Sequence, residues 1–106
     1  MKYQIIWSTF AEKQLDDIVY YYENTVKNRQ IGLKIITKLI LSTEKLRLNP
    51  SLGQQETALL NRKIFYRYIV ESNYKIIYSV DDETRQIKIA DFFDTRQNPE
   101  KIEREK

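Results

Sequence analysis

The sequence predicts an α+β fold running β-α-α-β-β-β, in which a helical hairpin packs on one face of a mainly antiparallel sheet. Three observations carry this expectation. A short apolar segment opens the chain and leads into an amphipathic helical pattern. A second, longer helical stripe stops at Asn49-Pro50. Three segments with period-2 alternation, 66–70, 74–80 and 86–93, then succeed one another across short polar turns. The inner stripe of each helix needs an apolar partner, and a meander of this kind offers one sheet face for it.

Residues 2–7 set Tyr3, Ile5 and Trp7 on one face and Ile6 on the other, the pattern of a short strand buried on both sides. Thr9-Phe10-Ala11-Glu12 fits a capping box, in which the Thr hydroxyl and the Glu carboxylate each satisfy an otherwise orphan backbone N–H. Ala11, Leu15, Ile18 and Tyr22 recur at helical spacing, with Glu12, Asp16, Asp17 and Glu23 mainly elsewhere on the wheel. The cap and a solvated face account for these acids, so no metal site is assigned to them.

After a polar break at 24–28 the second helix is expected to reach Leu48, because the residue before a proline is pushed out of the α region. Leu33, Ile36, Leu39, Ile40 and Leu46 are its expected inner residues, and Lys34, Lys38, Lys45 and Arg47 its outer ones. Gly32 lies near its start, where either close approach of the first helix or a frayed turn explains a residue costing about 1 kcal/mol relative to Ala. Residues 51–61 have loop composition. Turns at 71–73 and 81–85 make the last three strands an antiparallel meander, with Tyr74, Ile76, Tyr78 and Val80 toward the helices and Lys75, Ile77 and Ser79 on the opposite face. The charged end, 102–106, reads as a short helical end or a frayed tail.

A length of 106 residues bounds the chain to one domain over 1–106, burying roughly two-thirds of its unfolded surface. No apolar run is long enough to span a bilayer, and the start lacks a signal peptide's apolar core, so the cytoplasm is the expected location. There is no Cys and no His, which removes disulfides, thiolate nucleophiles, imidazole bases and the common zinc ligands. No cofactor is expected. The net charge of +3 is uneven: residues 29–80 hold nine Lys and Arg against three acids, a block suited to phosphates or an acidic protein.

Ile6-Trp7-Ser8 with Ala11-Glu12 and Leu15, Asn49-Pro50, Tyr74-Lys75-Ile76-Ile77-Tyr78 and Asp94-Thr95-Arg96-Gln97-Asn98-Pro99 occur in this order along nearly the whole chain. In that arrangement the sequence resembles the RelE/ParE superfamily of toxins from bacterial type II toxin–antitoxin systems, and its last segment is most similar to the ParE side. The resemblance implies growth inhibition, a role in plasmid stabilisation, a cognate antitoxin as partner and a toxin–antitoxin hetero-oligomer. ParE-like members poison DNA gyrase, whereas RelE-like members cut messenger RNA on the ribosome with a basic cluster and a tyrosine.

On the RelE pattern, Lys75 takes the place of an Arg after the strand's Tyr, and Arg96 falls on the Arg after the last strand. Tyr66 and Tyr68 stand where two Lys belong, and Ile102 where the catalytic Tyr belongs. The leading expectation is therefore a non-enzymatic, protein-binding toxin, contacting target or antitoxin through Arg62, Lys63, Arg67, Lys75 and Arg96. The alternative is a metal-independent, ribosome-dependent endoribonuclease using Arg67, Lys75 and Arg96 to stabilise phosphate charge. A non-toxic member that keeps the fold is the third reading.

Overall fold

A computed structural model describes residues 2–103. The elements are β1 (Gln4–Trp7), α1 (Thr9–Asn24), α2 (Arg29–Glu44), β2 (Gln54–Gln55), β3 (Tyr66–Glu71), β4 (Tyr74–Asp81) and β5 (Gln86–Asp94), with short 3-10 turns at Lys45–Arg47, Pro50–Leu52, Thr57–Leu59 and Pro99–Glu103. The sheet order is β1-β5-β4-β3-β2, antiparallel except for the β1–β5 pair, which is parallel. The expected β-α-α-β-β-β order is present, enlarged by the two-residue β2 inside what the sequence presents as a loop. Of the charged end, residues 104–106 lie outside the described residues.

The first helix starts one position away from the expected cap. Ser8 is still extended, with φ −71° and ψ 155°, because its N–H donates to Ile89 O and its hydroxyl to Ala90 O of β5. Its Oγ then accepts from Ala11 N at 3.0 Å, so Ser8 is the N-cap and Thr9 the first helical residue. One side chain thereby closes the helix end and fastens it to the sheet. β1 is an edge strand whose apolar residues are half-buried, not covered on both sides, since only β5 flanks it.

The two helices approach closely at Gly32, where an added Cβ would lie 3.0 Å from Tyr22 Cβ and 3.4 Å from Val19 Cα. Close approach, and not fraying, therefore accounts for that glycine. α2 ends at Glu44 and tightens into a 3-10 turn before Asn49-Pro50. Its inner line is Gly32, Ile35, Leu39, Ser42 and Leu46, which leaves Ile40, expected inside, 39% exposed. Two hydroxyls take inward places because each has an acceptor: Ser42 donates to Glu71 Oε1 at 2.6 Å and Thr43 to Ile40 O at 2.6 Å. The Ser42 hydrogen bond holds the Glu71 carboxyl below its ordinary pKa.

Both faces of the sheet are buried. Against the hairpin lie Tyr74, Ile76, Tyr78, Ile87, Ile89 and Phe92, with Trp7 stacked on Phe92 at 5.5 Å between ring centroids. The other face carries a smaller cluster, Leu59, Tyr66, Ile77, Ala90, Phe93 and Ile102, roofed by the two 3-10 turns at Thr57–Leu59 and Pro99–Glu103. A β-bulge decides which residues of β5 go to which face: Ile77 pairs with Asp91 and Tyr78 with Ile89, so Ala90 is the extra residue. The period shifts there, so Phe92 joins Ile87 and Ile89 in the hairpin core and Phe93 joins the second cluster.

The Tyr78 hydroxyl, buried beneath the loop, donates to Pro50 O at 2.7 Å and accepts from Gly53 N at 2.9 Å. A Cβ on Gly53 would lie 2.6 Å from Tyr68 O and from Tyr78 Oη, so no larger residue fits without moving backbone. Replacing Tyr78 with Phe keeps the ring and orphans a buried N–H, and we expect a loss of about 1–3 kcal/mol in urea unfolding. Gly53→Ala is expected to lower the urea midpoint as well, with an unchanged m-value in both cases.

Candidate functional site

Arg67 projects from β3 on the helix-facing side, paired in register with Tyr78. Its Nη1 donates to Gly53 O at 2.8 Å and its guanidinium lies 5.0 Å from the Phe65 ring centroid. Tyr3, Pro50 and Asp82 complete the hollow beside it. Lys75 is on the opposite sheet face, where its Nζ sits 3.0 Å from Glu56 Oε1 and 4.2 Å from the Tyr68 ring centroid. The Glu56 side chain is only 2% exposed and also accepts from Ala58 N, so Lys75 balances a buried carboxylate.

Arg96 lies beyond the end of β5 and grips Asp94 through Nε at 3.0 Å and Nη2 at 2.8 Å, while its own backbone N–H donates to the same carboxylate. These hydrogen bonds pull the Asp94 pKa down and push that of Arg96 up. Burial, with Asp94 adding to it, pushes the Tyr74 pKa up to about 12. A hollow of about 320 Å³ opens here between α1 and the sheet end, with Ile18, Tyr21, Tyr74 and Phe92 in its lining. Arg62 Nη2 donates to Glu103 O at 2.5 Å, tying the 60–65 loop to the C-terminal 3-10 turn. Lys63 is exposed in the same loop, next to the exposed Leu60, Ile64 and Phe65.

The five sequence-selected cations therefore do not share one site. Arg67 and Lys75 are on opposite faces of the sheet, Arg96 follows β5 at the Tyr74–Asp94 end with its hollow on the helix side, away from the face of Lys75, and Arg62 with Lys63 lie in the loop beside the second core. Four of them are held by acceptors within the chain. Ile102, 1% exposed, is a core residue of that second cluster. The partner that sequence reasoning missed is Glu56. It lies 19 residues from Lys75 inside a loop, and its one signal is to be among only three acids in the basic block. All three are engaged: Glu44 with Arg47, Glu56 with Lys75, and Glu71 with Ser42.

With this geometry in hand, the comparisons with known proteins are consistent with one another. Among solved structures, the chain is similar to the chromosomal ParDE toxin–antitoxin system from P. aeruginosa, with 15% identity, a TM-score of 0.67, and coverage of 86% of this chain and 94% of that one. It is also similar to the RelBE2 toxin–antitoxin complex from Mycobacterium tuberculosis, with 17% identity, a TM-score of 0.55, and coverage of 87% and 96%. These likenesses show that the chain shares the fold of those structures. No curated protein matches the chain. The chain belongs to the family of ParE toxins of type II toxin–antitoxin (parDE) systems, whose sequence model matches residues 5–99.

Removing one member of a buried ion pair leaves the other uncompensated, whereas removing both does not. Lys75→Met is expected to cost roughly 3 kcal/mol in denaturant unfolding, and adding Glu56→Leu to recover most of that loss. For Asp94 the depressed folded-state pKa means that its stabilisation is present above the unfolded value of about 3.9 and lost as pH falls through the lower folded value. Arg96→Gln should thus be less stable than the parent near pH 6 by under about 1 kcal/mol, given the solvent-exposed guanidinium. Thermal melts from pH 6 to pH 2 should show that gap closing.

Proposed function

We propose that this protein is a ParE-like toxin that inhibits DNA gyrase by binding it, and that a cognate antitoxin neutralises it in a cytoplasmic toxin–antitoxin hetero-oligomer. One observation carries the non-catalytic part of the reading. The cations that a ribonuclease would converge on a scissile phosphate are divided between the two faces of the sheet, and Arg67, Lys75 and Arg96 are each engaged by an acceptor of the chain itself. A phosphodiester cut without imidazole needs several cations and a proton-transfer group at one point in space. Binding to a protein target makes no such demand. The family match supports the toxin role, and the two similar structures, both from toxin–antitoxin systems, support an antitoxin as partner.

Induced expression should arrest growth, and the purified protein should inhibit the supercoiling of relaxed plasmid by gyrase. Primer extension on messenger from the same cells should show no codon-positioned cuts. Efficient ribosome-dependent cutting that Arg96→Ala or Lys75→Ala abolishes, with supercoiling unaffected, would establish the ribonuclease reading instead. Normal growth with both assays negative would leave a non-toxic member of the fold.

A further inference from the structure

The hollow between α1 and the end of the sheet is a cavity that neither the packing of the cores nor the toxin reading uses. Its lining includes Ile18 and Tyr21 of α1, Tyr74 of β4 and Phe92 of β5, three of the four being aromatic. Ile18, Tyr74 and Phe92 are 8%, 6% and 2% exposed, so the hollow reaches down to the hairpin core and is not a crease of the surface. Tyr21 is 48% exposed, and its ring makes a T-shaped contact with that of Tyr22 at 5.1 Å between centroids. A cavity that combines apolar depth with a few polar groups is the usual form of a binding site.

The charged groups of this lining are acidic in sum. Asp17 and Asp94 contribute two carboxylates and Arg96 one guanidinium, a balance of −1 in a chain whose net charge is +3. Arg96 is already satisfied, since its Nε and Nη2 both donate to Asp94. Asp17 is exposed and, among the described residues, makes no ion pair, although Lys13 stands one turn earlier on the same helix. α1 as a whole carries Glu12, Asp16, Asp17 and Glu23 against Lys13 alone. An anion entering the hollow would meet Asp17 and a guanidinium whose charge Asp94 has cancelled. A cation meets a free carboxylate and aromatic rings, whose faces attract positive charge.

We propose that this hollow binds the guanidinium group of an arginine side chain presented by a protein partner. In the bound arrangement the guanidinium lies against the rings of Tyr21 and Tyr74, and its N–H groups donate to Asp17. Guanidinium is favoured over ammonium because it is planar, stacks on aromatic faces and pairs with a carboxylate through two parallel hydrogen bonds. The chain uses the same chemistry internally, where the guanidinium of Arg96 grips Asp94 in the lining that also holds Tyr74. A protein source is favoured over free arginine because Arg96 is the one cation of the lining, and its engagement with Asp94 leaves none to receive an α-carboxylate. Nothing in this assignment depends on the toxin reading.

The probe is Nα-acetyl-arginine amide, titrated into the isotope-labelled full-length protein and followed by the NMR shifts of backbone amides. Shifts centred on residues 14–21 and 94–97 are expected, with a dissociation constant on the order of 1 mM, as suits a few exposed contacts. Nα-acetyl-citrulline amide, which has the same shape without the charge, should bind about threefold more weakly or not at all. Asp17→Asn and Tyr21→Leu should each weaken binding of the arginine compound by about the same factor. Asp16→Asn, the same loss of charge at a neighbouring residue outside the lining, should leave it unaltered. Absence of shifts at these amides, an equal response to the citrulline compound, or equal losses with Asp16→Asn and Asp17→Asn overturns the proposal. An equal response to Nα-acetyl-lysine amide overturns the choice of guanidinium, and tighter binding of free arginine overturns the protein source in favour of a small molecule. Because the titration involves neither gyrase nor growth, its failure is separable from failure of the toxin reading.

Discussion

The hydroxyl of Tyr78 is the point on which the arrangement of the candidate residues turns. It sits in the middle of the sheet beneath the loop that follows α2, and it is fully used: it donates to Pro50 O and accepts from Gly53 N. Burial pushes its pKa up, so the group stays a neutral donor and acceptor at physiological pH. By fixing Gly53 it places the carbonyl that takes Arg67, and it directs the chain into β2. One residue beyond β2, Glu56 is delivered to Lys75. The orientation of two candidate cations on two faces of the sheet thus depends on one phenol and on the absence of a side chain at Gly53.

The bulge at Ala90 has a complementary effect on the packing. A strand that kept strict alternation from Ile87 and Ile89 would send Phe93 to the hairpin and Phe92 to the opposite face. The extra residue places Phe92 against Trp7 and the helices, and Phe93 beside Ile102 in the second cluster. That second core anchors the C-terminal turn, and the Arg62 hydrogen bond to Glu103 O ties the 60–65 loop to the same turn. The basic side chains of this region are therefore framework as much as surface. Among the described residues, the exposed side of α2, the 60–65 loop with its exposed apolar residues and the hollow beside Arg96 stay open.

This distribution bears on mechanism through simple electrostatics. A cation already bound to a buried or bidentate carboxylate offers little net field to a developing phosphate charge, and moving it into a transition state means breaking that pair. Exposed lysines without partners retain their field, which raises the rate of encounter with an acidic protein and is weakened by salt. Among the described residues, Lys34, Lys38 and Lys45 on the exposed side of α2 make no ion pair, a place suited to recognition of another protein and distant in kind from a catalytic cleft.

The order of elements, the hairpin, the meander and the division of β4 into a Tyr74-Ile76-Tyr78 face and a Lys75-Ile77 face were legible in the sequence, because periodicity and turn residues are local properties. So was the composition that removes imidazole and thiolate chemistry. Three things required the folded chain. The helix cap moved from Thr9 to Ser8 because Ser8 is held extended by hydrogen bonds to β5, some 80 residues away in sequence. Ser42 and Thr43 displaced Ile40 from the inner side of α2 because each hydroxyl found an acceptor, which hydrophobic patterning does not register. The five candidate cations could be named from sequence, but their dispersal could not, since it depends on which acceptors lie across the sheet and on the bulge that resets its register. Local periodicity determines which elements form; contacts between residues far apart in the chain decide which charges are left free, and only the tertiary structure contains those contacts.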